Sequence, residues 1–344
     1  MGAVRATDQE RSMGHGEVIL DVEKLVKYFP LRRGIGQSLR GESDRAVKAV
    51  DGVSFNVKKG ELFGVVGESG CGKTTMGRTI LRLLEPTAGR VTFEDIEVTA
   101  LGAEQLKQLR TRMQIIFQDP YESMNPRLDV HRIIAEPLRI QGMVSNSRDA
   151  IPYIEKALED VEMTPPEEYL YRYPHELSGG QRQRIAVARA LVLDPEFIVA
   201  DEPVSMLDVS IRGEILNLML NLSRERGVTF LYITHDLATA RHICDRIAVM
   251  YLGKMVEKGP TDNLVKHPLH PYTRALIGAV FVPDPKRKGF GKVLKGEVPS
   301  PVDPPSGCRL HPRCPIAQDI CKEVEPELVA ADDNHMVACH FALG

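Results

Sequence analysis

The sequence predicts an α/β core, a mixed sheet flanked by helices, with a helical subdomain inserted into it and a small cysteine-bearing extension behind it. Three observations carry that prediction. Short apolar runs (Leu62–Val66, Phe197–Ala200, Thr229–Thr234) alternate with helical stretches, the pattern of strands buried on both faces of a parallel sheet. Between Pro120 and Leu193 helical patterns take over, broken by prolines. Four of the six cysteines (Cys308, Cys314, Cys321, Cys339) crowd into the last 37 residues, which in a reducing compartment reads as a metal site before it reads as disulfides.

Along the chain, residues 1–17 are polar and read as a loose tail. A strand pattern starts at Val18, and a second spans Ala46–Val57 after a basic, Gly-containing loop from Leu31 to Asp44. Leu62–Val66 is the buried strand that ends in glycine. In the inserted segment, helices are expected over Val130–Ile140, Ser147–Val161 and Gln181–Leu193. The run from Ile247 to Gly259 reads as a hairpin turning at Gly253, with a helix near Tyr272–Val280 beyond it. Val282–Ser306 is rich in Pro, Gly and Lys and reads as a linker. The boundaries drawn from this are a tail at 1–17, a nucleotide-binding domain at 18–262 with its helical subdomain at about 120–195, and an extension at 263–344.

Composition narrows the function. With 44 basic against 47 acidic side chains the net charge is −3, so no global basic field points to nucleic acid. No apolar run approaches the roughly 18 residues that span a bilayer, and the charged start (Arg5, Asp8, Glu10, Arg11) lacks a signal peptide's apolar stretch. The chain is therefore expected in the cytosol, reaching any membrane through partners.

The chemistry begins at Gly67-Glu-Ser-Gly-Cys-Gly-Lys-Thr-Thr75, which fits the phosphate-binding pattern G-x4-G-K-[ST] between a buried strand and a helix. Gly67, Gly70 and Gly72 let the loop wrap so that its N–H groups, with those of Ser69, Cys71 and Thr75, face phosphates. A helix starting near Lys73 adds its positive end. Lys73 is expected on the β- and γ-phosphates of ATP and the Thr74 hydroxyl on Mg²⁺.

Phe197–Glu202 supplies the second half: an apolar strand delivers Asp201 to hold Mg²⁺ through water, and Glu202 to orient or deprotonate the attacking water. A strand ending in two solvated carboxylates is commonplace by itself, and only its place behind a P-loop gives it this reading. In Leu177-Ser-Gly-Gly-Gln-Arg-Gln-Arg184, Ser178 is placed to cap a helix from about Gln181, leaving the N–H groups of Gly179 and Gly180 exposed. That is a second anion-binding terminus, over a hundred residues from the first. Two such ends in one chain suggest two chains meeting head to tail around nucleotide.

Here the residues resemble a known family. Leu177–Gln181 is similar to the signature motif of the ABC ATPases, and the order P-loop, Gln118, signature, Asp201–Glu202, Asp208, His235 matches that family throughout. The resemblance implies the P-loop ABC ATPase fold. It implies that Gln118 senses Mg²⁺ and couples to membrane subunits, that His235 contacts the γ-phosphate, and that Asp208 lies on a loop crossing the dimer. It implies also that an aromatic, Phe29 or its neighbour Tyr28, stacks on adenine. Catalysis would then rest on Lys73, Gln118, Glu202 and His235, with Thr74, Gln118 and Asp201 toward Mg²⁺. Two departures stand out: Met206 replaces the usual alanine of the crossing loop, expected as a packing variation, and Glu122 stands where a smaller residue is frequent, in the region where membrane partners dock.

His267–Leu276, Gly296–Pro301 and Pro305–Pro315 resemble the C-terminal extension of the oligopeptide/dipeptide importer branch. That implies a second ABC ATPase (a copy or a relative), two transmembrane permeases, an indirect extracytoplasmic binding protein, and a peripheral place at the cytoplasmic membrane face. The basic loop near Leu31–Arg45 is more like the second of two such ATPases. Oligosaccharide or nickel import, a soluble ABC ATPase in DNA repair or translation, and a metal- or redox-sensing regulator are the competing readings. The cysteine spacing C-x5-C-x6-C-x17-C lacks the short pairs of zinc sites. It leaves open a [4Fe–4S] cluster (implied for this branch), zinc, or unmetallated thiols.

Overall fold

A computed structural model of the chain describes residues 16–31, 45–280, 294–332 and 334–342. The expected tail through residue 15, residues 32–44 of the expected basic loop and residues 281–293 of the expected linker lie outside the described residues.

The main sheet is centred on strands whose sequences leave them no wet face. β1 (Val18–Pro30) and β2 (Ala46–Lys58) form an antiparallel pair, joined by β4 (Ala88–Phe93) and the short β5 (Ile96–Glu97) into a four-stranded sheet. β3 (Leu62–Val66), β6 (Met113–Ile116), β7 (Phe197–Asp201), β8 (Thr229–Thr234), β9 (Arg246–Tyr251), β10 (Lys254–Pro260), β11 (Val329–Ala330) and β12 (Met336–Val337) form the other. Their order is β11-β12-β10-β9-β3-β8-β7-β6. The stretch β9-β3-β8-β7-β6 is parallel, and the pairs involving β10, β11 and β12 are antiparallel.

The alternation along β3 and β8 shows why these strands read as unbroken apolar runs. Leu62 and Val66, with Phe230 and Tyr232, join one core, formed with the inserted helices. Phe63 and Val65, with Leu231 and Ile233, join a second core against β1, β2 and the helix Lys73–Ile80. Successive side chains point to opposite faces, both faces are covered, and each fully buried Leu, Ile or Phe adds about 1.5–3 kcal/mol.

The inserted segment holds helices Val130–Ile140, Ile151–Asp160 and Gly179–Leu191. Asp129 caps the first by accepting from Arg132 N–H. Its apolar positions Val130, Ile133, Ile134 and Leu138 recur at helical spacing and are buried. The hairpin β9–β10 turns at Gly253, whose φ is +80°.

The C-terminal segment departs from the expected appendage. β12 pairs with β10, so the chain's last strands continue the main sheet. The buried Glu257 of β10 accepts from Leu269 N–H at 2.8 Å and His270 N–H at 2.9 Å and pairs with His335 Nε2 at 2.7 Å. Burial pushes His270 down to about 4, against the pull of Glu257, so it stays neutral. The expected linker also changes character beyond residue 293: Pro301 O accepts from Lys48 N–H at 3.0 Å, which anchors that stretch to β2.

Candidate functional site

A cleft of about 680 Å³ opens where β3, β7 and β8 end. The P-loop forms its floor. Gly67 and Gly72 are required by space: a Cβ on Gly67 would sit 2.2 Å from Met250 O, and one on Gly72, whose φ is +107°, 1.9 Å from Ala49 O. The loop runs into the helix Lys73–Ile80, so first-turn N–H groups face the cleft. Lys73 is buried, and its Nζ donates to Gly67 O at 2.7 Å and Glu68 O at 3.0 Å.

Thr74 Oγ1 donates to Asp201 Oδ1 at 2.8 Å. Asp201 is 1% exposed, and its Oδ2 has no hydrogen-bond partner. Burial pushes this carboxyl up, opposed by the Thr74 hydroxyl and the charges of Arg78 and Lys73. A buried oxygen left unpaired is costly, and a hydrated divalent cation is the partner such an oxygen suits. The residues therefore fit Mg²⁺.

Glu202 follows with φ +47°, a left-handed backbone conformation uncommon for a non-glycine residue and held here by Glu202 N–H donating to Ile233 O at 2.8 Å. The turn aims its carboxylate into the cleft. Oε2 accepts from Gln118 Nε2 at 3.3 Å and lies 3.0 Å from His235 Nδ1. A carboxylate only accepts, so Nδ1 carries the proton and Nε2 is the ring atom left for a further partner. Three residues more than thirty positions apart thus form one network.

Phe29 lines the same cleft, with Lys27 Nζ 4.9 Å from its ring centroid. Tyr28 does not line it: its hydroxyl donates to Asp51 Oδ1 at 2.5 Å, and burial with that bond pushes it up to about 12. Between the two aromatics, Phe29 is the one available to a base. Lys48, Leu276 and Pro301 also line the cleft, and no local motif marks them.

The other predicted residues lie outside it. Ser178 Oγ accepts from Gln181 N–H at 3.2 Å and Gln181 Oε1 from Ser178 N–H at 2.9 Å, a reciprocal cap on the helix Gly179–Leu191. Ser178, Gly179, Gly180, Gln181 and Asp208 line none of the cleft. Near them, Met206 is 64% exposed and Val209 82% exposed, so Met206 fills no core position within this chain.

The four C-terminal cysteines line one small, mostly apolar pocket with His311 and Phe341. Burial pushes Cys308 up to about 11, and the neighbouring Cys321, Cys314 and Cys339 add to it. Buried thiolates in one place repel, and a bound cation reverses that. Zn–S bonds of about 2.3 Å put a zinc ion's thiolates about 4 Å apart. Among the described residues, no group of three or more His, Cys, Asp or Glu is placed to hold a metal ion. A cluster sets each thiolate on its own iron and needs no such close trio. Four thiols on one pocket are a donor set of the kind a metal centre uses.

Comparison with known proteins adds the following. A family model for ABC transporters matches residues 50–205, and one for the oligopeptide/dipeptide transporter C-terminal region matches residues 256–321. The chain is 50% identical over 330 residues to the oligopeptide transport ATP-binding protein AppF of Bacillus subtilis (strain 168), an alignment covering 94% of this chain and 98% of that one. A dimeric ATP-binding cassette solved in a post-hydrolysis state with ADP and Pi is 28% identical, with TM-score 0.59, over 70% of this chain and 98% of that chain. The cbiO1 protein of Clostridium perfringens, part of the ABC transporter complex cbiONQ, is 25% identical with TM-score 0.60, over 73% of this chain and 92% of that chain.

Proposed function

The chain belongs to the ABC transporter ATPase family, in its oligopeptide/dipeptide branch, and from that premise we propose how its residues share the work of one catalytic half-site. It is an ATP hydrolase whose turnover powers a peptide importer. One observation carries the assignment of roles: the P-loop with Thr74, bonded to the buried Asp201 behind it, and the Gln118–Glu202–His235 network meet on a single cleft.

The loop N–H groups and Lys73 bind the phosphates, and Phe29 stacks on the base. Thr74, Gln118 and Asp201 would hold Mg²⁺, which would supply positive charge to offset that of the phosphates. Glu202 accepts a proton from the attacking water as its oxygen bonds to the γ-phosphorus and the bond to the β-phosphate oxygen breaks, releasing ADP. His235 holds the Glu202 carboxylate through Nδ1 and turns Nε2 toward the transferred phosphoryl group. Positioning and charge stabilisation supply most of the rate.

The half-site is completed from a facing cassette, whose counterparts of Ser178, Gly179, Gly180 and Gln181 present a helix N-terminus to the γ-phosphate. The exposed loop of Met206 and Asp208 crosses between the two. Supporting this reading, these residues lie off the chain's own cleft, Ser178, Met206 and Asp208 are exposed, and the cassette with ADP and Pi is itself dimeric. The facing cassette is a copy or a relative of this chain. Two membrane permeases complete the importer, with a binding protein beyond them delivering peptide and this chain at the cytoplasmic membrane face. Among the described residues no helix is long and apolar enough to cross a membrane, so this chain's membrane attachment in the reading runs through the permeases. Purified from native membranes in mild detergent, the chain is expected to bring two polytopic proteins and a second ATPase. Recovery of soluble, nucleic-acid-associated partners alone would sink the transport assembly.

We infer further that Cys308, Cys314, Cys321 and Cys339 hold a [4Fe–4S] cluster as a structural clip. The support is their shared pocket and a spacing without the short cysteine pairs usual at zinc. The cluster would supply four Fe–S bonds tying together segments up to 31 residues apart. Anaerobically purified chain is expected to carry about four iron and four sulfide per polypeptide. One zinc per chain, or metal-free thiols, would exclude it.

A further inference from the structure

The loop between Cys308 and Cys314 carries two arginines that turn away from the cysteine pocket and into the cassette. Arg309 is 8% exposed and Arg313 9% exposed, and neither lines the pocket of the thiols. Buried guanidinium groups need acceptors, and both find them on the walls of the nucleotide cleft.

Arg313 grips the second residue of the P-loop with both prongs. Its Nη1 lies 3.0 Å from Glu68 Oε2 and its Nη2 3.3 Å from Glu68 Oε1, while Nη1 also reaches the Tyr251 hydroxyl at 3.4 Å. Glu68 is held from its other atoms as well. Its N–H donates to the Tyr272 hydroxyl at 2.8 Å, and its carbonyl accepts from Lys73 Nζ at 3.0 Å. The Tyr251 and Tyr272 rings pack at 4.8 Å between centroids, closing a rigid frame around the residue. The carboxylate of Glu68 therefore belongs to the cysteine loop, and its carbonyl to the phosphate-binding lysine.

Arg309 reaches a second wall with one nitrogen on a carbonyl and the other on a carboxylate. It donates to Leu252 O and pairs with Asp51 Oδ2. Asp51 accepts from Tyr28, the neighbour of the cleft-lining Phe29, and its N–H donates to Gly253 O at 2.9 Å. Gly253 N–H in turn donates to Cys71 O of the P-loop at 2.8 Å. None of these links is local in sequence, and two-pronged guanidinium–carboxylate pairs fix geometry as well as charge.

We propose that Arg313 is a positioning residue for ATP binding: through Glu68 it sets the P-loop's shape, with Arg309 bracing the adjoining wall. The state of the cysteine-bounded loop is thereby read out as nucleotide affinity. The inference rests on the cleft being the ATP site, but not on what the cysteines hold.

The test is a double-mutant cycle on the full-length chain, with ATP affinity measured by equilibrium titration and KM and kcat by phosphate release. Arg313→Ala and Glu68→Gln are each expected to raise Kd and KM by about fivefold or more, with the double variant no worse than the weaker-binding single. At saturating ATP, kcat is expected to stay within about twofold, the pattern of lost binding rather than lost chemistry. Should Arg313→Ala fail to fold, Glu68→Gln carries the same expectation, because it keeps the side chain's size and shape. A lowered melting temperature with unchanged Kd would reduce the pair to a structural contact and overturn the proposal, as would single effects that multiply in the double variant. A parent chain that binds no ATP would end the reading of the cleft itself, which separates the two failures.

Discussion

Replacing Glu202 by glutamine is expected to leave ATP bound and stop its turnover, with kcat falling by about 10²–10⁴-fold. Glutamine keeps the length and planarity of the side chain and can still accept from His235 and Gln118, which lie 3.0 and 3.3 Å from Glu202 Oε2. It cannot take a proton from water. The positive φ at Glu202 and its backbone bond to Ile233 O do not depend on the carboxylate, so the turn that aims the side chain survives. The phosphate contacts of Lys73 and the loop survive too. ATP should then accumulate between two cassettes, and gel filtration of the variant with ATP should show a dimer that the parent chain populates only briefly. Normal phosphate release from the variant would remove Glu202 from the base role and leave positioning as the whole of catalysis.

What could be read in advance divides along a physical line. Contiguous chemistry was legible: the P-loop, the capped signature helix and the acidic pair each occupy a few adjacent residues, and β3 and β8 run over their expected spans because both faces are buried. The short and edge strands were harder. Ala88–Phe93 exposes its first three residues and alternates only at its end, and Met113–Ile116 has four residues, too few for a period to show. β11 and β12 are two residues each and exist only because β10 offers an edge to pair with. The helix Val209–Arg226 carries apolar residues at helical spacing (Ile211, Ile215, Leu218, Met219, Leu222), a pattern present in the sequence itself.

The site shows the same division. Gln118, Glu202 and His235 could be named by order along the chain, but the bond network among them could not. Arg313 against Glu68 spans 245 positions, and nothing local in Arg-Leu-His-Pro-Arg announces a partner in the P-loop. Reading the C-terminal segment as an appendage followed from that blindness. A stretch rich in Pro, Gly and Cys looks unattached until its buried arginines are seen to end on the nucleotide cleft.

Replacing Lys73 by alanine should fail at the step before Glu202 acts. Its ammonium donates to Gly67 O and Glu68 O, so it organises the loop as well as meeting phosphate. Each charge-assisted bond to a phosphate oxygen contributes about 1.5–3 kcal/mol, so losing two of them should weaken ATP binding by about 10²-fold or more. Titration with ATP, read beside a melting curve, separates the causes. Lys73 is 4% exposed, and its truncation removes its bonds to the carbonyls of Gly67 and Glu68 (the latter keeping Cys71 N–H), so a modest fall in melting temperature belongs to the same change. If affinity falls while the chain stays folded, the lysine acts on the nucleotide. If affinity is unchanged, the loop N–H groups hold the phosphates without it. The two substitutions also order the cycle: with Lys73→Ala no ATP-dependent dimer should form, whereas Glu202→Gln should form one that persists. A double variant should behave as Lys73→Ala alone, because a cassette that does not hold ATP offers Glu202 nothing to hydrolyse.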